Sequence, residues 1–343
     1  MSNSELVRIA PEVEAALAEG RAVVALETAA VTHGLPREPM AAPPRYALDP
    51  ATPHEVRAVF AADCPANLAL GRALAAAVRA EGAVPATVGM LRGKLVIGLD
   101  DDELRELAEM REVHKVAARD AALVAARGGS GGTTVAGTLL ACGLAHARGV
   151  PAPIRIFATG GIGGVHRGFA ERPDISADLV ALRETPTLVV SAGAKSILDL
   201  PATVELLDTL GVPLVGLRTP YFPRFLAEGS PALRVNATAA DEHEAAAMFA
   251  AHRAFLPTRG MLLCVPPPGE YALAAESMES AIAEGLAEAA RRGVTGPEVT
   301  PVLLSAVARA SAGMSLDTNL AVLIQNARVA ARVAHAFVAR GAH

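Results

Sequence analysis

Lysine is rare in this chain of 343 residues. Of its 31 basic residues, only Lys94, Lys115 and Lys195 are lysines. Arginine stays protonated, whereas a desolvated lysine can lose its proton and form a Schiff base with a carbonyl compound. Lys195 directly follows an apolar run and is therefore our leading candidate for a nucleophile. The alternative is a sequence that simply favours arginine, with Lys195 at a helix cap or in solvent.

A glutamate at the end of a predicted strand is the best candidate for an acid. Glu27 directly follows the apolar run Val23–Leu26. A carboxyl group in a partly apolar niche has a raised pKa and can act as a general acid near neutral pH. An ordinary salt bridge of Glu27 is the competing interpretation.

Two aspartates lie four residues apart and are candidates for binding a cation. Asp174 and Asp178 would share one face if the segment were helical. A hard divalent cation such as Mg²⁺ or Mn²⁺ accepts one such carboxylate together with waters and a substrate phosphate. Asp174 or Ser176 could equally be an N-cap that opens a helix, and both roles are compatible.

Two glycine-rich segments could hold an anion. Residues 128–135 precede a predicted helix, and residues 158–168 leave a predicted strand. Such loops bring backbone N–H groups close to a phosphate, and His166 and Arg167 could add donors. Neither segment has the spacing of a P-loop or of a dinucleotide-binding fingerprint. The alternative is that the glycines only allow backbone to pack closely on backbone.

Two further polar residues lie outside these segments. Lys94 falls in a predicted hairpin and is expected to be exposed. Asn319, near the start of the last predicted helix, carries a donor and an acceptor in one amide and could read an amide-bearing base; it could also be a plain capping residue.

The elements that must position these residues alternate between short apolar runs and alanine-rich helical stretches. This pattern predicts a single α/β domain over residues 1–343, with a central sheet covered by helices on both faces. The dipeptide at 92–93 predicts a hairpin and hence a mixed sheet. The proline-rich residues 39–66 are interpreted as a long insertion or lid. The predicted strands are Val23–Leu26, Ala86–Leu91, Leu95–Leu99, Ile154–Ala158, Thr187–Val190, Pro213–Leu217 and Met261–Val265.

Composition narrows the class of partner. A net charge of −5 without a long basic run gives no electrostatic footprint for nucleic acid or for an anionic membrane surface. No targeting segment opens the chain, and no run of about 18 apolar residues is present. The three cysteines are far apart, which argues against a disulfide framework or a zinc cage. We therefore expect a cytoplasmic enzyme with a small substrate.

Several long motifs, in order between about residues 8 and 338, resemble the pseudouridine-5′-phosphate glycosidases, the indigoidine synthase A-like family. They are Ala25–Thr28, Thr32–Pro36, Gly82–Thr87, Gly131–Ala136, Phe157–Gly168, Asp174–Leu179 and Ala192–Leu200. The resemblance implies that a homotrimer with a divalent metal, typically Mn²⁺, and no organic cofactor reversibly cleaves the C–C glycosidic bond of pseudouridine 5′-phosphate. The products would be uracil and ribose 5-phosphate.

The resemblance also implies roles for individual residues. Lys195 resembles the nucleophile that forms an imine with ribose C1′, and Glu27 the proton donor that helps open the sugar. Lys115 is similar to a substrate-contacting lysine and Asp174 to the metal ligand. Residues in matching substrate-binding positions or motifs are Thr134, Val135, Thr159, His166, Ser176, Ala177, Asp178 and Asn319.

The implied chemistry suits a carbon leaving group. Protonating a glycosidic heteroatom cannot expel carbon, so capture of C1′ by an amine supplies a covalent electron sink instead. That amine must be neutral, which a desolvated site or a neighbouring cation such as Lys115 would favour.

Two other functions stay open. A biosynthetic C-glycosynthase of this family would join ribose 5-phosphate to a natural-product aglycone, and the long insertion at 39–66 favours it. Thr134, Thr159 and Asn319 favour the glycosidase. A non-catalytic phosphosugar-binding protein would lack the pair of Glu27 and Lys195.

Overall fold

One mixed β-sheet runs through the centre of the protein. The computed structural model describes residues 6–40, 42–61, 64–146, 153–171, 173–294 and 299–341. Within them, eleven strands form the sheet and two more, β8 and β10, form a separate antiparallel ribbon. The strands are β1 (Val7–Ile9), β2 (Val23–Leu26), β3 (Val84–Leu91), β4 (Lys94–Ile97), β5 (His114–Val116), β6 (Gly131–Thr133), β7 (Ile156–Ala158), β8 (Val165–His166), β9 (Leu188–Ser191), β10 (Leu198–Asp199), β11 (Leu214–Leu217), β12 (Ala237–Ala239) and β13 (Met261–Cys264).

Helices cover the sheet. They are α1 (Pro11–Ala18), α2 (Arg45–Leu48), α3 (His54–Ala61), α4 (Ala66–Ala80), α5 (Asp101–Glu109), α6 (Ala121–Ala126), α7 (Val135–His146), α8 (Asp178–Glu184), α9 (Leu200–Thr209), α10 (Glu242–Phe255), α11 (Ala275–Arg291), α12 (Val299–Ala310) and α13 (Met314–Val338). A π-helical turn, Ala30–Gly34, follows β2. None of the helices in the described part of the chain is long and apolar enough to cross a lipid bilayer.

The order of the sheet is β1-β4-β3-β2-β7-β9-β13-β11-β12, with β6 also paired to β3 and β5 paired to β6. The seven strands from β3 to β12 run parallel to one another, whereas β4 and β6 are antiparallel to β3. The predicted mixed α/β sheet is therefore confirmed.

Two hydrophobic cores lie on the two faces of the sheet. Alternate strand side chains point to opposite faces, so Val23 and Ala25 of β2 pack in one core and Val24 and Leu26 in the other. The first core also contains residues of α1, α7, α8 and α9, and the second contains residues of α4, α10 and α13. This arrangement is the predicted three-layer α/β/α architecture.

The predicted hairpin joins β3 to β4. Arg92 and Gly93 both have positive φ, 49° and 78°, which is the conformation of a type I′ turn. A side chain at Gly93 would place its Cβ 2.9 Å from the carbonyl oxygen of Ala125. Lys94 is exposed at the start of β4, as expected.

The segment at 39–66 is a packed part of the protein and contains α2 and α3. Residues 41, 62 and 63 of this predicted insertion lie outside the described residues. Tyr46, Ala47, Val56 and Phe60 are buried in the second core. The interpretation as a long insertion or lid stays a prediction; the structure adds that two short helices bury the few apolar residues of the segment.

Candidate active site

Three neighbouring parallel strands bring the main candidates together. The register places Leu26 of β2 beside Ala158 of β7, and Ala158 beside Val190 of β9. Glu27, Thr159 and the segment 192–195 therefore leave adjacent strands at one edge of the sheet, where ligands of such sheets collect.

Glu27 is half-buried and receives a hydrogen bond from the hydroxyl of Thr159. Burial raises the pKa of its carboxyl group, while the charge of Lys195, the bond from Thr159 and the charge of Lys115 act in the opposite direction. Among the ion pairs of the described residues, none involves Glu27. The salt-bridge interpretation is therefore not supported, and the raised pKa suits a proton donor.

Lys115 interacts electrostatically with Glu27 and Lys195 but lies on a different part of the sheet. It lies on β5, which pairs with β6, and β6 pairs with β3 beside β2. Desolvation lowers the pKa of Lys115, the charge of Lys195 lowers it further, and the carboxylates of Glu27 and Asp178 oppose this change. Two lysines and two carboxyl groups thus interact across one site.

Lys195 is half-buried in the turn between β9 and β10. Its backbone N–H donates to the carbonyl of Ile162 at 3.1 Å, which ties it to the second glycine-rich segment. The helix that follows is capped by Asp199, whose side chain accepts from the N–H of Ala202 at 3.0 Å. Lys195 is therefore not a helix cap.

The side chain of Arg167 binds the backbone of residues 192–198, the lysine turn, which contains Lys195. Its guanidinium donates to the carbonyls of Ser196 and Leu198 and pairs with Glu279 at 3.0 Å. The suggestion that Arg167 adds a donor to an anion site stays a prediction, and the donors on Nε and Nη2 already have these partners.

Asp178 connects the two glycine-rich segments. One carboxylate oxygen accepts from the N–H of Ala136 at 2.9 Å and the other from the N–H of Gly163 at 2.8 Å. This buried side chain begins α8, whereas Asp174 lies before the helix and is half-exposed. The two aspartates do not share a helical face, because α8 begins only at Asp178 and Ile175, before it, forms an isolated bridge with Val165.

The glycines of both segments are sites of close packing. A Cβ on Gly132 would lie 2.1 Å from the hydroxyl of Thr32, and a Cβ on Gly163 would lie 2.2 Å from that of Ser176. The structural interpretation therefore holds for these two glycines. It does not exclude anion binding, because α7 starts directly after the first segment.

The predicted substrate-binding residues surround this junction. Thr134 precedes α7, and its hydroxyl lies 3.4 Å from the N–H of Gly137. The side chain of Val135 is buried in the core, so only its backbone is placed to meet a ligand. Ala177 is the N-cap of α8, and the hydroxyl of Ser176 accepts from the N–H of Asp178 at 3.2 Å.

Asp174 and His166 form the donor pair that best fits a cation. The Nδ1 atom of His166 lies 3.9 Å from a carboxylate oxygen of Asp174, and both side chains are about one-third exposed. No group of three or more potential ligand side chains occurs in the described residues. One carboxylate and one imidazole fit a metal that takes its other ligands from water and substrate.

Asn319 lies in the second turn of α13, which begins at Met314, so it is not a capping residue. The sequence interpretation overlooked another asparagine on this helix. Asn326 is fully buried, and its amide donates to the carbonyl of Thr159 at 2.8 Å. A buried amide in an otherwise apolar helix stripe is the signal that could have found it.

His33 is a second residue whose role the sequence did not reveal. Its Nδ1 lies 2.7 Å from the hydroxyl of Thr32, and its ring is hydrogen-bonded to the backbone of Val113. Desolvation and the charge of Lys115 lower the pKa of His33. His33 thereby joins the turn after Glu27 to the strand that carries Lys115.

Known proteins share this architecture along nearly its whole length. The family described as indigoidine synthase A like protein matches residues 59–336. A pseudouridine-5′-phosphate glycosidase of Chloroflexus aurantiacus is 48% identical over 333 residues, with 96% of this chain and 98% of that protein covered. One of Herpetosiphon aurantiacus is 44% identical, with 95% and 96% covered.

Two solved structures are similar as well. The prealnumycin C-glycosynthase AlnA in complex with ribulose 5-phosphate matches with a TM-score of 0.82 and 37% identity, covering 98% of both chains. An indigoidine synthase A-like protein of Thermotoga maritima matches with a TM-score of 0.75 and 30% identity, covering 96% of this chain and 95% of its own. From the match over 59–336 and these identities, the chain belongs to the indigoidine synthase A-like family.

Proposed function

We propose that this protein is a C-glycosidase that cleaves pseudouridine 5′-phosphate, with water, to uracil and ribose 5-phosphate. The observation that carries the proposal is the placement of Glu27 directly after β2 and of Lys195 in the turn that follows β9, with β7 between these two strands. Relatives named as pseudouridine-5′-phosphate glycosidases support it, at 48% and 44% identity.

The proposed mechanism uses an imine on Lys195. Glu27 delivers a proton to the ring oxygen of the ribose as the bond between that oxygen and C1′ breaks, and the Nζ atom of Lys195 bonds to C1′ and loses a proton. The C–C bond then breaks: its electron pair goes to the base, which takes a proton, while the lone pair of Nζ forms the imine with C1′. Water hydrolyses the imine to release ribose 5-phosphate and the free lysine. The raised pKa of Glu27 supports its part, since the carboxyl group keeps its proton to higher pH.

A divalent metal, for which we propose Mn²⁺, would be held by Asp174 with His166 nearby. The metal would neutralise phosphate charge, and waters and substrate would complete its coordination. We also propose that the enzyme is a homotrimer. Sedimentation of the purified protein measures this directly, and a monomer at working concentration would contradict it.

Borohydride trapping tests the imine. We expect ribose 5-phosphate and borohydride to add one reduced sugar phosphate to Lys195, detected by peptide mass spectrometry. Because the chain has only three lysines, single replacements assign the site without ambiguity. Lys195→Arg should abolish the adduct, and Lys94→Arg, at the exposed hairpin lysine, should leave it unchanged. An unmodified Lys195 peptide under saturating sugar and Mn²⁺ would exclude this mechanism.

A C-glycosynthase is the second candidate, favoured by the similarity to AlnA. Such an enzyme would use the same sugar chemistry in the direction of bond formation. Uracil release from pseudouridine 5′-phosphate separates the two functions. Release supports the glycosidase, whereas a protein that forms the ribose 5-phosphate adduct on Lys195 but releases no uracil would be assigned as a synthase.

A further inference from the structure

Phe225 has an unusual backbone conformation beside the candidate site. Its φ is 61°, in the left-handed region that side chains other than glycine rarely adopt, and its ring is half-exposed. Such a conformation costs free energy and persists only where neighbouring contacts hold it. Strained residues of this kind cluster at ligand sites. The contacts of Phe225 therefore indicate which part of the candidate site it serves.

The segment around Phe225 is bound to the lysine turn. The N–H of Phe225 donates to the carbonyl of Ala192 at 2.8 Å. The hydroxyl of Ser196 donates to the carbonyl of Arg224. Hydrogen bonds therefore reach this segment from both sides of Lys195, and they fix Phe225 relative to the nucleophile candidate.

The ring of Phe225 packs on the second glycine-rich segment. A Cβ on Gly161 would lie 2.7 Å from the ring, and a Cβ on Gly160 would lie 3.2 Å from it. Any side chain at these two positions would displace the ring. The glycines directly after Thr159 thus allow an aromatic ring to lie on the backbone that leaves β7.

One face of α13 borders the same place. A Cβ on Gly160 would also lie 3.0 Å from the side chain of Leu323. Asn319 is four residues before Leu323 and Asn326 three residues after it, so the three lie on one helical face. Asn326 holds the carbonyl of Thr159, and Asn319 lies one turn beyond Leu323 at the other end. The ring of Phe225 and the side chain of Leu323 therefore both lie against Gly160, and Asn319 is one helical turn from Leu323.

We propose that Phe225 contacts the aglycone, with the base stacking on the exposed part of its ring while C1′ reacts with Lys195. This inference rests on the proposed function and extends it to a residue for substrate specificity. The chemical class it selects is a planar heterocycle, because an aromatic ring favours a flat π-system, with Asn319 nearby to read an amide edge.

Phe225→Leu tests the inference because it removes the ring and keeps an apolar side chain. We expect the KM for uracil in the synthetic direction, with ribose 5-phosphate saturating, to rise by about tenfold, the scale of one lost base–aromatic stack. Borohydride labelling of Lys195 by ribose 5-phosphate should stay within about twofold of the parent protein, since that step needs no base.

Three comparisons complete the design. Phe225→Tyr keeps the ring and should retain a KM for uracil close to that of the parent. Phe255→Leu, at an 84% exposed phenylalanine on α10, should change neither measurement. If Phe225→Leu does not fold, Phe225→Met supplies a second ring-free variant, with a flexible side chain that fills the same space.

The outcomes separate the two proposals. An unchanged KM for uracil in a folded ring-free variant overturns the role of Phe225 and leaves the glycosidase standing. Equal losses of labelling and of uracil affinity also overturn it, since Phe225 would then only support the lysine turn. Absence of labelling in the parent protein refutes the glycosidase mechanism itself.

Discussion

A carboxyl group with a raised pKa needs an environment that opposes its ionisation. Glu27 has one, because burial, with a contribution from the charge of Asp178, raises its pKa against the opposing effects of the two lysines and Thr159. The same cluster lowers the pKa of Lys115. Both changes favour the uncharged form of the group, the protonated carboxyl of Glu27 and the neutral amine of Lys115.

Glu27→Gln should reduce activity and change the pH dependence of stability. Loss of a positioned general acid is expected to lower kcat by about 10²- to 10⁴-fold. The folded pKa of Glu27 is raised, so its contribution to stability is present below the unfolded pKa and is lost as pH rises through the folded pKa. The variant should therefore lose less stability than the parent as pH rises across that window.

Urea unfolding at several pH values, paired with uracil release, measures both effects. Glu284→Gln, at an exposed glutamate on α11, is the control and should leave both the activity and the pH profile unchanged. Equal pH profiles for the parent and Glu27→Gln would show that Glu27 is ionised in the folded protein at the same pH as in the unfolded chain.

At the scale of elements, the site depends on how the glycine-rich segments are joined to each other. Asp178 accepts from backbone N–H groups of both, at Ala136 and at Gly163, so one side chain sets the distance between α7 and the loop after β7. Asn326 fixes that loop from the helical layer. These links are made by single polar atoms and are therefore sensitive to isosteric replacement.

Asp178→Asn should destabilise the protein by about 2–3 kcal/mol. The amide keeps one acceptor, but its NH₂ group would face a backbone N–H, and a buried donor would be left without a partner. The free energy of unfolding in urea measures the change. Asp174→Asn, at the half-exposed aspartate, is the matched control and should alter stability by less than about 0.5 kcal/mol. Equal stabilities of the two variants would contradict the linking role of Asp178.

At the scale of the whole molecule, the segment at 42–61 packs against the main body of the protein. The ring of Tyr46 packs edge-on against that of Tyr271 with centroids 5.4 Å apart, and Tyr271 in turn accepts at its carbonyl a 2.6 Å hydrogen bond from Thr318 of α13. The guanidinium of Arg45 lies 5.3 Å above the Tyr271 ring. Opening this segment as a lid would therefore expose part of the second core.

Tyr46→Ala should lower the free energy of unfolding by about 3–5 kcal/mol, the cost of removing a buried aromatic side chain. Leu48→Ala removes an apolar side chain from the same short helix, but Leu48 is 65% exposed, and we expect a change below about 0.5 kcal/mol. Urea denaturation followed by far-UV circular dichroism compares them. A freely moving lid would instead show two equally stable variants.

The sequence alone determined the features that arise from neighbouring residues. Apolar runs of four to six residues predicted the strands, and the dipeptide at 92–93 predicted the hairpin, because side-chain period and turn conformation are local properties. Glu27 stood out because it directly follows such a run, and Lys195 because lysine is rare in the chain and this one lies shortly after another. The motifs then identified the family.

Only the tertiary structure decided which strands are neighbours. The order β2-β7-β9 places Glu27, Thr159 and Lys195 side by side although 168 positions (195 − 27) separate the first from the last. Hydrogen bonding between distant strands leaves no periodic trace in the sequence. The same holds for Asn326 and Phe225. Neither residue stands out in its own segment, and the role of each follows from its contact with the loop after β7.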